Sequence, residues 1–180
     1  SISVTSQYLS ATGVYAFSLS QDVYVDNSGV IDSHGQYGGG GIIAYTYFAS
    51  TGYIDVDNSG TINAYAYDGL AFGIYAISPG SGNAYVGNSG SIDAESYYDR
   101  AFGIKVYDYG DHSTTIVDNS GFVNATADNN IAVGIYSNTP GYAADNFIYN
   151  SGTATATGLV AAGIVGSATG QYGEVDIYND

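Results

Sequence analysis

One tripeptide, Asn-Ser-Gly, recurs along this chain at nearly constant spacing. Its copies begin at Asn27, Asn58, Asn88, Asn119 and Asn150, and Asn179 stands one step later, before Asp180. Neighbouring asparagines of this set lie 29 to 31 residues apart. A tripeptide alone carries little information, but copies at a fixed period with the same flanking pattern indicate an internal repeat. The repeat therefore constrains the fold strongly and the function weakly.

Each repeat contains three short extended segments. The first leads into Asn-Ser-Gly, as in residues 115–119, and alternation places its apolar residues and its Asn on one face. The second follows the Gly, as in residues 91–94, and the third reads Ala-x-Gly-Ile, as in residues 101–104. Pro and Gly residues indicate a variable loop after the third segment, and a shorter turn is expected near residues 65–69 and at the equivalent positions.

These units determine the fold class. A unit of about 30 residues without helical periodicity cannot bury its own apolar face, so the units must stack. The sequence therefore predicts an all-β fold, a right-handed parallel β-helix (β-solenoid) of about six coils with three strands per coil. Residues 1–180 form a single repeat domain, which we expect to be a segment of a longer repeat protein or a filament subunit. A β-propeller is the rival fold, but its blades are longer and contain four strands.

Two sets of repeated residues receive structural roles. Stacked asparagines can each donate a side-chain hydrogen bond to one neighbour and accept one from the other, which predicts a ladder of inward-facing side chains. The ladder residues are Asn27, Asn58, Asn88, Asn119, Asn150 and Asn179. A Gly at a fixed place in a strand pattern predicts a bulge or a corner at which φ turns positive. These glycines are Gly13, Gly41, Gly73, Gly103, Gly134 and Gly163.

The charge of the chain limits its partners. It has 17 acidic residues and two basic ones, Arg100 and Lys105, which gives a formal net charge of -15. Nucleic acids and anionic membrane surfaces are bound by clustered cations, so neither is an expected partner. No apolar run approaches the length of a membrane span, so we expect no membrane insertion by this segment. The chain starts without Met and in mid-pattern, which favours a mature or excised piece.

Residues typical of catalysis are sparse. His34 and His112 fall in predicted loops of different coils, and we interpret both as solvated. Arg100 follows Asp99, which predicts a surface salt bridge. We interpret Lys105 as an isolated, solvent-exposed lysine. We therefore expect no enzyme activity, no catalytic residue, no cofactor and no dedicated metal site. Weak Ca²⁺ binding by the acidic faces stays open.

The 20 tyrosines provide candidate contact residues. Exposed aromatic rows stack on sugar rings or form protein interfaces, and cross-strand aromatic neighbours also stabilise a sheet; both interpretations stay open. The repeat alignment places one group of candidates in a single column and a second group on another face. The first group is Tyr15, Tyr75 and Tyr136, and the second is Tyr24, Tyr85 and Tyr149.

The repeat also resembles a known family. The pattern Val-Asp-Asn-Ser-Gly-x-Ile-x-Ala, followed by Ala-x-Gly-Ile-Tyr, is clearest in residues 56–64 with 71–75, and residues 117–125 with 132–136 follow it closely. It resembles the degenerate repeats of bacterial autotransporter passenger domains over essentially the whole chain. The resemblance implies a right-handed β-helix exported to the bacterial cell surface, most often an adhesin or a surface fibre and less often an enzyme.

We therefore expect a non-enzymatic extracellular rod with a structural or adhesive function, on the bacterial cell surface or released from it. Its expected partners are neighbouring repeats or further copies stacked end to end, carbohydrate, or a host or cell-surface protein. A self-polymerising filament subunit of an extracellular matrix is one alternative, because the chain begins and ends at the same point of the repeat. A polysaccharide-active β-helix enzyme is the other.

Overall fold

The structure, a computed structural model, describes residues 1–47 and 51–180. The described residues form β-strands and turns, with no helix among them. Every strand pairs in parallel with its counterpart one repeat away, which gives a β-solenoid of about six turns with roughly 31 residues per turn. The predicted fold class is therefore confirmed.

The strands coincide with the three predicted segments. The first-segment strands are β3 (Val23–Asn27), β6 (Ile54–Asn58), β9 (Ala84–Asn88), β12 (Thr114–Asn119), β14 (Asp145–Asn150) and β16 (Val175–Asn179). The second-segment strands are β1 (Ile2–Ser6), β4 (Val30–Gly35), β7 (Thr61–Ala66) and β10 (Ser91–Ser96). The third-segment strands are β2 (Ala11–Ser18), β5 (Gly38–Thr46), β8 (Leu70–Ser78) and β11 (Ala101–Asp108). Two long strands, β13 (Phe122–Thr139) and β15 (Thr153–Ala168), cover both the second and the third segment.

The corner between the second and third segments differs along the solenoid. The predicted short turn is present in the first four coils, but β13 and β15 pass this corner without a break, so the expectation is wrong for the last two coils. Their register shifts between Ala127 and Ile131. Asn129 Nδ2 donates to the Tyr97 carbonyl oxygen at 2.9 Å, so a side chain bonds to the preceding turn while the backbone stays extended. The continuous strands join the second- and third-segment strands into one ten-stranded sheet, and the first-segment strands form a separate six-stranded sheet.

The core consists of short β-branched and Ala side chains stacked on equivalents from the next coil. Ile62 pairs with Ile31 on one side and with Ile92 on the other, and Val86 pairs with Val56 and Val117. The largest fully buried side chains are Ile31, Ile42, Ile54, Ile62, Ile74, Ile92, Ile104, Ile135, Ile148, Val56, Val86 and Val106. Since alternate residues of each strand point inward, the residues between them form columns on the outer faces.

The repeated asparagines form a continuous side-chain ladder. Nδ2 of each Asn donates to Oδ1 of the Asn one coil later, at 2.6 to 2.8 Å, from Asn27 to Asn179. The backbone repeats as well: the N–H groups of Ser59 and Gly60 both donate to the Asn27 carbonyl oxygen, at 2.9 and 3.0 Å. Asn58, Asn88, Asn119 and Asn150 are each less than 5 % exposed. The Asn-Ser-Gly triplet is thus a hydrogen-bonded corner that recurs in every coil.

The glycines are required for space and not for an unusual φ. None of the described glycines has a positive φ, so the expectation of a positive φ at Gly13, Gly41, Gly73, Gly103, Gly134 and Gly163 is wrong. A Cβ atom on Gly73 would overlap Cγ2 of Ile92, and one on Gly103 would overlap Cγ1 of Val123. The paired register passes over Gly103, joining Phe102 to Val133 and Ile104 to Ile135. The missing side chain lets the core residue of the next coil approach the strand.

Candidate functional site

The first group of candidate tyrosines lies in one outward column, as the repeat alignment predicts. The register of the third-segment strands aligns Tyr15, Ile43, Tyr75, Lys105, Tyr136 and Val165. Tyr15 is 64 % exposed, whereas Tyr75 and Tyr136 are half-buried by rings beside them. Burial raises the pKa of Tyr75 to about 12. Of these three residues, Tyr15 has the most solvent-exposed side chain.

The second group shares the six-stranded sheet but occupies two columns. Tyr24 and Tyr85 lie in one column with Asp55 between them, and Tyr149 lies in the neighbouring column. The Tyr149 ring stacks on Tyr178, with the ring centroids 5.3 Å apart and the planes at 8°. Tyr85 borders a groove of about 500 Å³, which Tyr53 and Ile116 also line. These tyrosines therefore do not form one continuous row.

A third set of tyrosines is exposed in every member, and the sequence reasoning missed it. These residues lie in the short turn between the second and third segments of the first four coils, and we call them the tyrosine ridge. The ridge consists of Tyr8, Tyr37, Tyr67, Tyr97 and Tyr98, whose exposed fractions run from 37 to 78 %. The Tyr67 and Tyr97 rings stack at 5.3 Å and 3°, and Tyr98 meets each of them edge-on. Recurrence of Tyr before the third segment was the available signal.

The outer surface of the third-segment strands is also rich in aromatic side chains. We call this surface the aromatic face; its central residues are Phe72, Tyr75, Phe102, Tyr107 and Tyr136, which surround Lys105. Phe72 contacts Tyr75 edge-on at 5.2 Å, Phe102 contacts Tyr136 at 5.8 Å, and Tyr107 contacts Tyr136 at 5.6 Å. Burial raises the pKa of Tyr107 to about 12. Ring contacts thus cover neighbouring coils with one connected aromatic layer.

Lys105 lies inside this layer and is not the solvent-exposed lysine that the sequence predicts. The residue is 7 % exposed, and its Nζ lies 4.3 Å from the Phe102 ring centroid, 5.0 Å from that of Tyr75 and 5.4 Å from that of Tyr107. Burial lowers the pKa of Lys105 to about 8, and the positive charge of Arg100 contributes in the same direction. The sequence prediction failed because the repeat pattern gives the direction of a side chain and not the size of its neighbours.

The acidic residues are distributed differently on the two sheets. On the second-segment strands acidic and amide side chains pair across coils: Asn63 donates to Asp32 at 2.6 Å, and Asn124 donates to Asp93 at 2.9 Å. On the six-stranded sheet Asp57 is aligned with Asp26, and burial together with Asp55 and Asp26 raises the pKa of Asp57. Like charges are therefore adjacent at Asp26 and Asp57 on the six-stranded sheet, whereas an amide separates the acidic groups in the two pairs on the second-segment strands.

The remaining polar candidates lie apart from one another. His34 is exposed but belongs to β4, so its predicted loop position is wrong; its ring lies 5.8 Å from that of Tyr65. His112 is an exposed turn residue with a φ of 57°, as its predicted loop position requires. Arg100 Nε lies 3.4 Å from Asp99 Oδ1, which forms the predicted surface salt bridge. Within the described ranges, no group of three or more His, Asp or Glu side chains is arranged to hold a metal ion.

The fold and the surfaces define the class of this protein, a parallel β-solenoid repeat protein with aromatic rows on its outer faces. A comparison with known proteins adds no family: no protein-family model, curated protein or solved structure matches the chain. The part of the chain that the structure describes contains no helix with the length and hydropathy that a membrane span requires.

Proposed function

We propose that this chain is a non-enzymatic extracellular repeat rod, structural or adhesive, of the passenger-like surface-fibre kind. The tyrosine ridge is the observation that carries the proposal. Its exposed rings lie on the same corner of four successive coils, so they follow the axis of the rod. Exposed apolar rows of this kind mark interaction surfaces. Tyr is also suited to such contacts because it adds a large, rigid and partly polar area at low cost in conformational entropy.

The described ring contacts of Tyr67, Tyr97 and Tyr98 are with one another and not with the core. Tyr67, Tyr97 and Tyr98 contact one another, and their rings stay 37 to 50 % exposed. Their backbone N–H groups already bond to the preceding coil, as in the 3.1 Å bond from Tyr98 N to the Tyr67 carbonyl oxygen. The side chains can therefore be changed without removing a backbone bond.

The test measures attachment of the full chain to bacterial and host cell surfaces. We expect the triple variant Tyr67→Ser, Tyr97→Ser, Tyr98→Ser to attach at least about tenfold less than the wild type, since the loss of a central aromatic contact costs more than about 1 kcal/mol and the three losses are not fully additive. The double variant Tyr149→Ser, Tyr178→Ser is the matched control, because it removes another stacked pair from a different sheet. Equal attachment by the wild type and the triple variant contradicts the proposal.

A polysaccharide-active enzyme is tested separately. Acidic and neutral glycans are incubated with the full chain, and reducing ends are counted over time. Turnover that is lost in Arg100→Ala or Lys105→Ala overturns the non-enzymatic proposal.

End-to-end self-association is a second candidate, favoured by one observation. The register along the six-stranded sheet is the same at every junction, pairing Asn with Asn each time from β3 to β16. An interface that repeats without a shift suits further copies of the same unit. Electron microscopy of the purified protein at rising concentration tests it: filaments support this candidate, and isolated short rods at all concentrations contradict it.

A further inference from the structure

Two pairs of tyrosines stack with nearly parallel rings across neighbouring coils, and we call them the stacked tyrosine pairs. The Tyr67 and Tyr97 ring centroids lie 5.3 Å apart with the planes at 3°. Those of Tyr149 and Tyr178 lie 5.3 Å apart with the planes at 8°. The four side chains are 37 to 54 % exposed. Each pair therefore presents two phenols side by side to the solvent.

The backbone holds the two partners of each pair together. Tyr149 of β14 is paired in parallel with Tyr178 of β16. In the turns, Tyr97 N donates to the Ala66 carbonyl oxygen at 3.1 Å, which holds Tyr97 against the coil that contains Tyr67. Because the partners occupy equivalent places in parallel coils, their side chains leave the backbone in the same direction. A small rotation of the exposed rings therefore brings together the ortho carbons that flank the two hydroxyls.

The composition of the chain directs oxidation to its tyrosines. The sequence has 20 Tyr but no Cys, no Met and no Trp, so no thiol, thioether or indole group is present to intercept an oxidant. A phenol gives up one electron and one proton more readily than any other side chain that remains. Two adjacent phenols that are both oxidised in this way can join through a carbon–carbon bond.

We propose that the stacked tyrosine pairs are modification sites, at which hydrogen peroxide acting through a haem peroxidase couples the two rings into dityrosine and so joins neighbouring coils. Each phenol loses one electron and the proton of its O–H bond, which gives two phenoxyl radicals. The radicals form one bond between their ortho carbons, and the hydrogen on each of these carbons moves as a proton to the ring oxygen. Hydrogen peroxide takes up the two electrons and two protons, its O–O bond breaks, and two water molecules form.

Coupling within one chain is favoured over coupling between chains. Groups held on one molecule meet at an effective concentration on the order of millimolar or higher, whereas a second molecule is present only at the micromolar concentration of the protein. The net charge of -15 also keeps two copies apart. This inference goes beyond the proposed function and does not rest on it, because it needs only the ring geometry and the oxidant.

The experiment treats the full chain at micromolar concentration with a haem peroxidase and hydrogen peroxide. Dityrosine is measured by its fluorescence, and the linked residues are identified by mass spectrometry of peptides cut at Asp. We expect the product to stay monomeric under denaturing conditions and to lose the mass of two hydrogen atoms for each link. A product that consists mainly of covalent dimers overturns the inference.

Three Phe variants assign the links. Tyr178→Phe keeps the ring but has no phenol hydroxyl, so the yield of dityrosine at Tyr149 should fall at least about tenfold, because the partner's effective concentration is lost. Tyr67→Phe should have the same effect on the link to Tyr97. The control is Tyr15→Phe, which removes a phenol that is 64 % exposed but belongs to neither pair, and it should leave both links unchanged. Unchanged dityrosine yields in Tyr67→Phe and Tyr178→Phe overturn the inference.

A further variant tests the geometry by adding a pair. Phe17 stacks on Tyr45 of the next coil, with the ring centroids 5.5 Å apart and the planes at 20°, and the strand register pairs the same two residues. Phe17→Tyr should therefore form a third link, to Tyr45, that the wild type lacks. Absence of this link when the other two form overturns the inference that ring stacking selects the sites.

The links also have an expected effect on stability. A covalent bond between residues about 30 positions apart restricts the unfolded chain, as a disulfide does. We expect the oxidised wild type to melt roughly 5–15 °C above the untreated protein. The double variant Tyr67→Phe, Tyr178→Phe should melt at the same temperature before and after oxidation. An oxidised wild type that melts no higher than the untreated protein overturns the joining of coils.

Discussion

Asn88 donates a hydrogen bond from Nδ2 to Oδ1 of Asn119 over 2.7 Å, and Asn119 donates onward to Asn150 over 2.6 Å. Replacing Asn119 by Ala leaves a buried donor on one side and a buried acceptor on the other. We expect Asn119→Ala to lower the free energy of unfolding by about 2–4 kcal/mol, measured by chemical denaturation. The control is Asn124→Ala, whose bonds to Asp93 and Thr155 are exposed, with an expected loss of less than about 1 kcal/mol. Equal losses in the two variants contradict the ladder's stabilising role.

The glycine of the repeat triplet leads to a second prediction. A Cβ atom on Gly90 would overlap the Gly60 carbonyl oxygen and lie 2.9 Å from Gly60 N, both of which are backbone atoms that cannot move aside. The equivalent Gly29 has no such neighbour: a Cβ atom there lies 3.9 Å from Asn27 Oδ1. We expect Gly90→Ala to lower the melting temperature by destabilising the fold by about 1–3 kcal/mol, and Gly29→Ala to have little effect. Comparable effects at both positions argue against close coil packing as the reason for this Gly.

The aromatic surroundings of Lys105 lead to a third prediction. The pKa of Lys105, about 8, lies below the ordinary lysine value of 10.5, so the folded state binds this proton less tightly than the unfolded state. This residue's contribution to stability therefore rises as the pH increases from about 8 towards 10. Titration of the Lys105 Cε signal in a carbon NMR spectrum should show a midpoint near pH 8, and Phe102→Ala should move it upward by hydrating Nζ. Tyr149→Ala should leave the midpoint unchanged. A wild-type midpoint at the ordinary lysine value contradicts the burial of the ammonium.

Asp108, next to the variable loop that follows β11, leads to a fourth prediction. Its side chain is 0 % exposed, and it accepts hydrogen bonds from Gly110 N at 3.0 Å and from Thr115 Oγ1 at 3.4 Å. Burial raises the pKa of Asp108 to about 6 from 3.8, despite the hydrogen bonds that favour the carboxylate. The folded state therefore binds this proton more tightly than the unfolded state. The stabilisation that the protonated Asp108 contributes is complete below pH 3.8 and is lost as the pH rises through 6.

Asp108→Asn tests this sign. The Asn side chain can accept from Gly110 N but carries no charge, so the variant should gain stability relative to the wild type as the pH rises from 4 to 7, by at most about 3 kcal/mol. The measurement is the unfolding free energy of both proteins across that pH range. Asp118→Asn removes a charge from an exposed strand position and serves as the control. A difference between Asp108→Asn and the wild type that does not change with pH contradicts the raised pKa.

The outward columns were predictable because strand alternation depends only on sequence position. Tyr75, Lys105 and Tyr136 were assigned to one column from the repeat, and the register aligns them there. Their environments were not predictable in the same way. Tyr15 is exposed and Lys105 is buried in equivalent positions, because Phe102 and Tyr107 lie beside Lys105. The turn tyrosines escaped notice since a turn has no alternation that separates inside from outside.

The sequence by itself determined the solenoid: the period, the three strands, the inward Ile and Val columns and the stacking of Asn on Asn. A repeat carries this information because identical residues must occupy identical places in every coil. Only the tertiary structure decided the local environment of each position, that is, its crowding and its burial. It showed that the glycines relieve crowding between coils and do not require a positive φ, and that the aromatic side chains of three adjacent columns bury one lysine. Both outcomes depend on distances between coils and between columns, which a periodicity does not contain.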